Sequence, residues 1–178
     1  DISKEYPEKT IDLQEIAEVE YIPLETTEKS VAMIHANPHI SEKYIINCDL
    51  GGPVHFYDRQ GKHLYALHAN GQGPQEYYGI VAFTVDFPKE EFYIYDLRKL
   101  QVYSFAGEWK RTLKVPEGMR YENLFNYDEH HLICENAFHD WWNFENLPTD
   151  KTPYYLINKE TGTLTPLPII VKNRISKT

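Results

Sequence analysis

The side chains able to do chemistry are numerous in this sequence, but few of them are spaced for it. Eight histidines occur, at His35, His39, His55, His63, His68, His130, His131 and His139. None belongs to a His-Glu-x-x-His pattern or sits with cysteine at zinc-ligand spacing. On a strand, the adjacent His130 and His131 point to opposite faces, so they do not share one metal. The sequence therefore predicts neither a metal centre nor a cofactor. The carboxylates Asp49, Asp58, Asp86, Asp96 and Asp128 recur near the ends of strand-like runs. Aspartates placed there cap turns by accepting backbone N–H groups. The sharper reading is a ring of acids around a channel, holding a cation or working as an acid–base pair on a glycan.

Two further motifs carry functional expectations. Gly71-Gln72-Gly73-Pro74 has the glycines of a phosphate loop. It lacks the Lys-Ser/Thr ending and the helix that must follow, so a structural crossing with positive φ at the glycines is expected instead. Next to it, Glu76 and Tyr77 are candidates for ligand contact. Phe138-His139-Asp140-Trp141-Trp142-Asn143-Phe144 places four aromatics among polar groups between two strand-like runs. Flat rings bury area at small entropic cost, which suits stacking on a sugar or anchoring a protein partner. His139, Trp141 and Trp142 are the binding candidates of that segment. The alternative is that the two tryptophans close a core between neighbouring sheets.

The composition bounds the scaffold that must hold these groups. The chain has 178 residues with a formal net charge of −9, which disfavours nucleic acid as the main partner. Hydrophobic residues make up 42% and charged residues 25%, ordinary for a folded domain. No apolar run reaches the 18 residues of a membrane span. Fourteen tyrosines, eight phenylalanines and three tryptophans favour pleated, half-buried surfaces. Cys48 and Cys134 lie in apolar strand-like runs and read as small buried core residues, with a disulfide left open.

Helix signals are confined to Asp12–Glu18, where Leu13, Ile16 and Ala17 follow i, i+3, i+4 spacing. Val19–Leu24 reads as an extended edge or terminal strand, closed by Pro23. Beyond residue 30 the chain is strands and turns, and it repeats. Val54-His55-Phe56-Tyr57-Asp58-Arg59-Gln60-Gly61 reads as the first arm and turn of a hairpin. Gln101–Leu113 restates that hairpin, with Tyr103 for Tyr57 and Gly107 for Gly61, each 46 residues on. Phe92–Asp96 answers Tyr44–Asp49. A looser third copy runs Tyr154–Leu167, with the aromatic segment as an insertion before it. Three copies of about four short strands, at this period, predict an all-β protein of β-propeller blades, each a four-stranded antiparallel sheet.

Leu13–Thr27, with its Ile22-Pro23-Leu24-Glu25-Thr26-Thr27 ending, resembles the N-terminal signature of six-bladed, NHL-like β-propeller proteins of Gram-negative gut anaerobes. Phe56–Lys62, Gly71–Tyr77 and Phe92–Asp96 resemble successive passages of the same family. The resemblance implies a single partial propeller domain over residues 1–178. Residues 1–29 would form an N-terminal extended segment, and about 30–70, 78–115 and 120–170 three blades of the six. It also implies a cell-envelope protein, periplasmic or an outer-membrane lipoprotein, or a secreted one. The expected function is non-enzymatic recognition of a protein or glycan partner through propeller loops, with self-association as one way to complete the ring. The competing expectation is a propeller-type hydrolase or lyase acting on a polysaccharide or lactone.

Overall fold

A computed structural model describes residues 4–5, 7–8, 10–26, 38–49, 52–137 and 152–168. Among the described residues twelve strands form three four-stranded antiparallel sheets, each a simple up-and-down meander. The first holds β1 (His39–Ile40), β2 (Tyr44–Cys48), β3 (Val54–Asp58) and β4 (His63–Leu67). The second holds β5 (Ala82–Asp86), β6 (Glu91–Tyr95), β7 (Leu100–Ser104) and β8 (Trp109–Leu113). The third holds β9 (Tyr121–Asn126), β10 (His131–Asn136), β11 (Tyr154–Asn158) and β12 (Leu164–Pro166). The described residues contain no helix long and apolar enough to cross a membrane.

The 46-residue repeat is carried into register. Ile46 pairs with Phe56 in the first sheet, and Tyr93 with Val102 in the second. Both third-to-fourth strand ladders shift register at the same point, between Phe56 and Tyr57 and between Val102 and Tyr103. Each of those hairpins closes on a glycine with positive φ, 81° at Gly61 and 82° at Gly107. The third copy closes on Gly162 at 73°, where the Gly162 N–H reaches back to the Asn158 carbonyl over a turn one residue longer. A left-handed turn position selects glycine because a Cβ there meets the following carbonyl.

Alternation of side chains across a strand explains how the sheets stack. In β6, Phe92 and Ile94 join Ile46, Cys48, Val54 and Phe56 in a core between the first two sheets. Tyr93 and Tyr95 point the other way, joining Leu124, Leu132, Cys134 and Ile157 in a core between the second and third. All four of these β6 side chains are completely buried. Each side chain of that size contributes about 1.5–3 kcal/mol on burial. The middle sheet is therefore covered on both faces, as a blade between two neighbours must be. On the far face of the third sheet, Phe125 and Leu156 flank Ile133 in register, and Phe125 stays 55% exposed.

A buried polar network also joins the second and third sheets. Lys159, in the β11–β12 turn, is completely buried and donates to Asp86 (2.6 Å) and to the Asp128 carbonyl. Glu91 accepts both Arg111 Nη groups (3.1 and 2.9 Å), the Tyr93 hydroxyl (2.9 Å) and the Lys110 ammonium. Arg111 donates in turn to the Lys159 carbonyl.

Two readings of the N-terminal region are corrected. The helix signal at 12–18 yields only a 3-10 turn at Leu13–Glu15, whose side chains lie in solvent. Three apolar residues without a partner surface do not sustain a helix. Val19–Leu24 forms no strand; instead the chain passes over the β3–β4 turn, where the Glu25 N–H donates to the Gly61 carbonyl (2.7 Å) and the Glu25 carboxylate accepts from the His63 N–H.

Candidate functional site

Meander topology places successive connections at alternate ends of the stack. One end of the stack carries only tight turns, at 41–43, 59–62, 87–90, 105–108, 127–130 and 159–163. The other carries two connections just as short, 49–53 and 96–99, together with the long ones, 68–81, 114–120 and 137–153. Backbone at the turn end is used up in turn bonds, so side chains available to a partner concentrate at the loop end.

The 68–81 connection is held there by side chains of the second sheet. Lys99, just before β7, donates to the Gly73 and Pro74 carbonyls (2.9 and 3.2 Å). Gln101 donates to Pro74 and Glu76 (2.8 and 3.1 Å), and the Tyr103 hydroxyl donates to Gln75 (2.7 Å). These three residues alternate along one face, so a single strand face grips four consecutive carbonyls. The expected role of the glycines is corrected. Gly71 and Gly73 are absent from the positive-φ positions. What they supply is space: a Cβ on either would meet the Glu76 carboxylate, at 1.9 and 3.0 Å. The Gly73 N–H donates to that carboxylate at 2.8 Å and the Gly71 N–H to the Tyr77 carbonyl, which leaves no phosphate cradle.

The candidates from sequence fall as follows. Glu76 lies at the loop end on an exposed residue, its carboxylate turned back onto Gly73. Tyr77 is completely buried, and its hydroxyl donates to the Gly52 carbonyl, tying the 49–53 and 68–81 connections together. His139, Trp141 and Trp142 lie outside the described residues, within the connection that leaves β10 and enters β11 at this same end.

Reading the sequence missed the neighbours of these residues. Tyr78 is 67% exposed, and the Arg98 guanidinium lies 5.3 Å from its ring centroid. Asp96 builds the turn that presents Arg98. Its carboxylate accepts the backbone N–H groups of Arg98 and Lys99 (both 3.0 Å) and of Tyr78 (3.2 Å). Between them Leu97 adopts φ 73° with its side chain in solvent. The signal available in sequence was the adjacent Tyr77-Tyr78 pair, of which the connection buries one ring and exposes the other.

Three other aspartates cap turns as expected, Asp58 accepting from Gln60 and Lys62, Asp86 from Lys89, and Asp128 from His130 and His131, whereas the Asp49 carboxylate faces His55. On the first sheet's outer face His55 is buried 3.5 Å from Asp49 with its ring 5.7 Å from that of His63. Burial lowers the His55 pKa against the opposing pull of Asp49, which favours the neutral ring. Among the described residues the Tyr57 hydroxyl, His63 Nε2 and Asn47 Oδ1 are buried without a hydrogen-bond partner. Among the described residues no group of three or more His, Cys, Asp or Glu side chains is placed to hold a metal. Cys48 and Cys134 are buried, unpaired thiols in different cores, pushed up to about 12 by burial.

The class this geometry defines is an all-β array of stacked four-stranded meanders with its long connections gathered on one end. The chain belongs to the family described as a domain of unknown function, DUF4934, whose model matches residues 1–175. Among solved structures it is similar to the crystal structure of a "putative exported protein" from Bacteroides fragilis, with a TM-score of 0.68 and 13% identity. That similarity covers 88% of this chain and 43% of the other, so the chain spans less than half the length of that relative. At such identity the likeness concerns the fold. No curated protein matches the sequence.

Proposed function

We propose that this chain is a section of a β-propeller, three blades of a six-bladed, NHL-like ring, serving as a cell-envelope or secreted recognition module. It binds a protein or glycan partner through its loop end. The observation that carries the reading is the exposed Tyr78–Arg98 pair, at the end of the stack that also holds the long 68–81, 114–120 and 137–153 connections. An exposed ring and a guanidinium are the groups most often concentrated at recognition hot spots. Glu76 and the buried Tyr77 precede Tyr78 in the same connection, and His139, Trp141 and Trp142, outside the described residues, are the further candidates of the reading.

Two observations support the partial ring. The third sheet leaves the row Phe125, Ile133 and Leu156 uncovered by any described sheet, whereas the corresponding faces of the first two sheets are packed. The solved relative is more than twice as long. Its description as exported supports the envelope or extracellular location. Glycan-array binding and pull-down, wild type against Trp141→Ala with Trp142→Ala, test the reading. Retention on a defined partner that the substitutions abolish is expected. Catalytic turnover of a bound polysaccharide would overturn the non-enzymatic assignment.

A further inference from the structure

Resting on the recognition reading, we infer that Tyr78, Leu97 and Arg98 form a subsite for a uronic-acid unit of an acidic polysaccharide. Three features converge on that chemistry. The Arg98 side chain makes no hydrogen bond among the described residues; it is held by the Tyr78 ring at 5.3 Å and by a loose ion pair with Asp96 at 3.7 Å. Asp96 is fully buried and engaged by three backbone N–H groups, so it orients the guanidinium without saturating its fork of donors. A stacked, pre-oriented guanidinium is a bidentate receptor for a planar carboxylate.

The apolar neighbours define what carries the carboxylate. Tyr78 is 67% exposed and offers a flat ring edge and face to the C–H side of a sugar. Leu97 precedes Arg98 in the same turn, half-exposed, in a left-handed conformation that a bulky side chain adopts only when its surroundings impose it. Asp96 and the Tyr95 hydroxyl, which donates to the Leu97 carbonyl (3.3 Å), impose it here. Lys99 adds a second cation to the same turn while gripping the Gly73 and Pro74 carbonyls. The patch is three side chains wide. That fits one sugar ring, and falls far short of the roughly 800 Å² per partner of a stable protein interface.

The test is calorimetric titration of the full chain with polygalacturonate, alginate and hyaluronate, and with fully methyl-esterified pectin as the ring without its charge. At least one polyuronate is expected to bind. Its affinity should fall at least tenfold in Arg98→Ala and in Tyr78→Ala, and both variants should keep the wild-type melting profile. Esterified pectin should bind at least tenfold more weakly. Leu97→Gly, which relieves the left-handed strain, should also weaken binding. Polyuronate binding that ignores Arg98→Ala and Tyr78→Ala, equal binding of the esterified polymer, or silence with all three polyuronates would overturn the subsite. Those results leave the recognition reading standing if another glycan or a protein is retained in a Trp141- and Trp142-dependent way.

Discussion

The Lys159 ammonium lies 2.6 Å from the Asp86 carboxylate with both side chains buried, joining the last turn of the third sheet to the first strand of the second. Nothing local requires a lysine to be buried in a turn. Its ammonium finds a carboxylate and the Asp128 carbonyl there, which compensate for the water it loses.

Removing one partner of that pair leaves an uncompensated charge in the core. Asp86→Asn is expected to lower stability by about 3–5 kcal/mol in urea unfolding. The double variant Asp86→Leu, Lys159→Met should recover most of that loss. An Asp86→Asn protein as stable as wild type would show that water reaches the ammonium.

Acid should destabilise the fold in two windows. Burial alone would raise the Glu91 carboxyl, but hydrogen bonds from Arg111, Lys110 and Tyr93 outweigh it and hold the pKa down to about 2. A depressed carboxyl stabilises the fold above its unfolded value near 4.5, and that contribution disappears as pH falls from there towards 2. His55 is depressed by burial, so its contribution is complete above about 6.5 and declines as pH falls below that. Unfolding free energy measured against pH should therefore decline first below about 6.5 and again below about 4.5. Glu91→Gln should lessen the lower decline, and His55→Gln should lessen the upper one, which His39, also depressed by burial, shares.

The hairpin glycines give a test of the N-terminal segment. Gly118→Ala places a Cβ in open space at φ 79° and should cost about 1–2 kcal/mol from the left-handed conformation alone. Gly61→Ala carries the same penalty at φ 81°, and its Cβ would also come 2.1 Å from the Pro23 carbonyl. Thermal unfolding should show the larger loss at Gly61. Equal losses would mean that residues 22–25 do not rest on this turn.

Thiol reactivity checks the two cores separately from stability. Cys48 and Cys134 are buried and held protonated, so the native protein should react with an aromatic disulfide reagent only on the timescale of unfolding. Two thiols should appear in denaturant. A fast native thiol would place one of the cores at the surface.

The repeat was legible because the rules that make it are local. Turn chemistry requires glycine at 61 and 107, and strand alternation requires the Tyr44–Cys48 and Phe92–Tyr95 patterns, so both survive as text. The roles of Lys159 and of Gly71 were not legible. Asn158–Gly162 reads as an exposed polar turn, and only the neighbouring sheet's Asp86 makes burial of its lysine favourable. Gly71 looks like a positive-φ glycine, but the folding back of Glu76, five residues on, decides its use. The candidate site was legible by region and not by residue. The sequence marked Glu76-Tyr77, whereas the connection turned Tyr77 inward and Tyr78 outward, and Arg98 reached it from 20 residues further along the chain.

Recognition through the loop end is tested most directly by glycan-array binding of four purified proteins. These are the wild type, Tyr78→Ala, Trp141→Ala with Trp142→Ala, and Glu129→Ala at an exposed position of the turn end. The account predicts retention on a defined polysaccharide by wild type and Glu129→Ala, and loss in both loop-end variants. Binding that survives both loop-end variants and is lost in Glu129→Ala would contradict it.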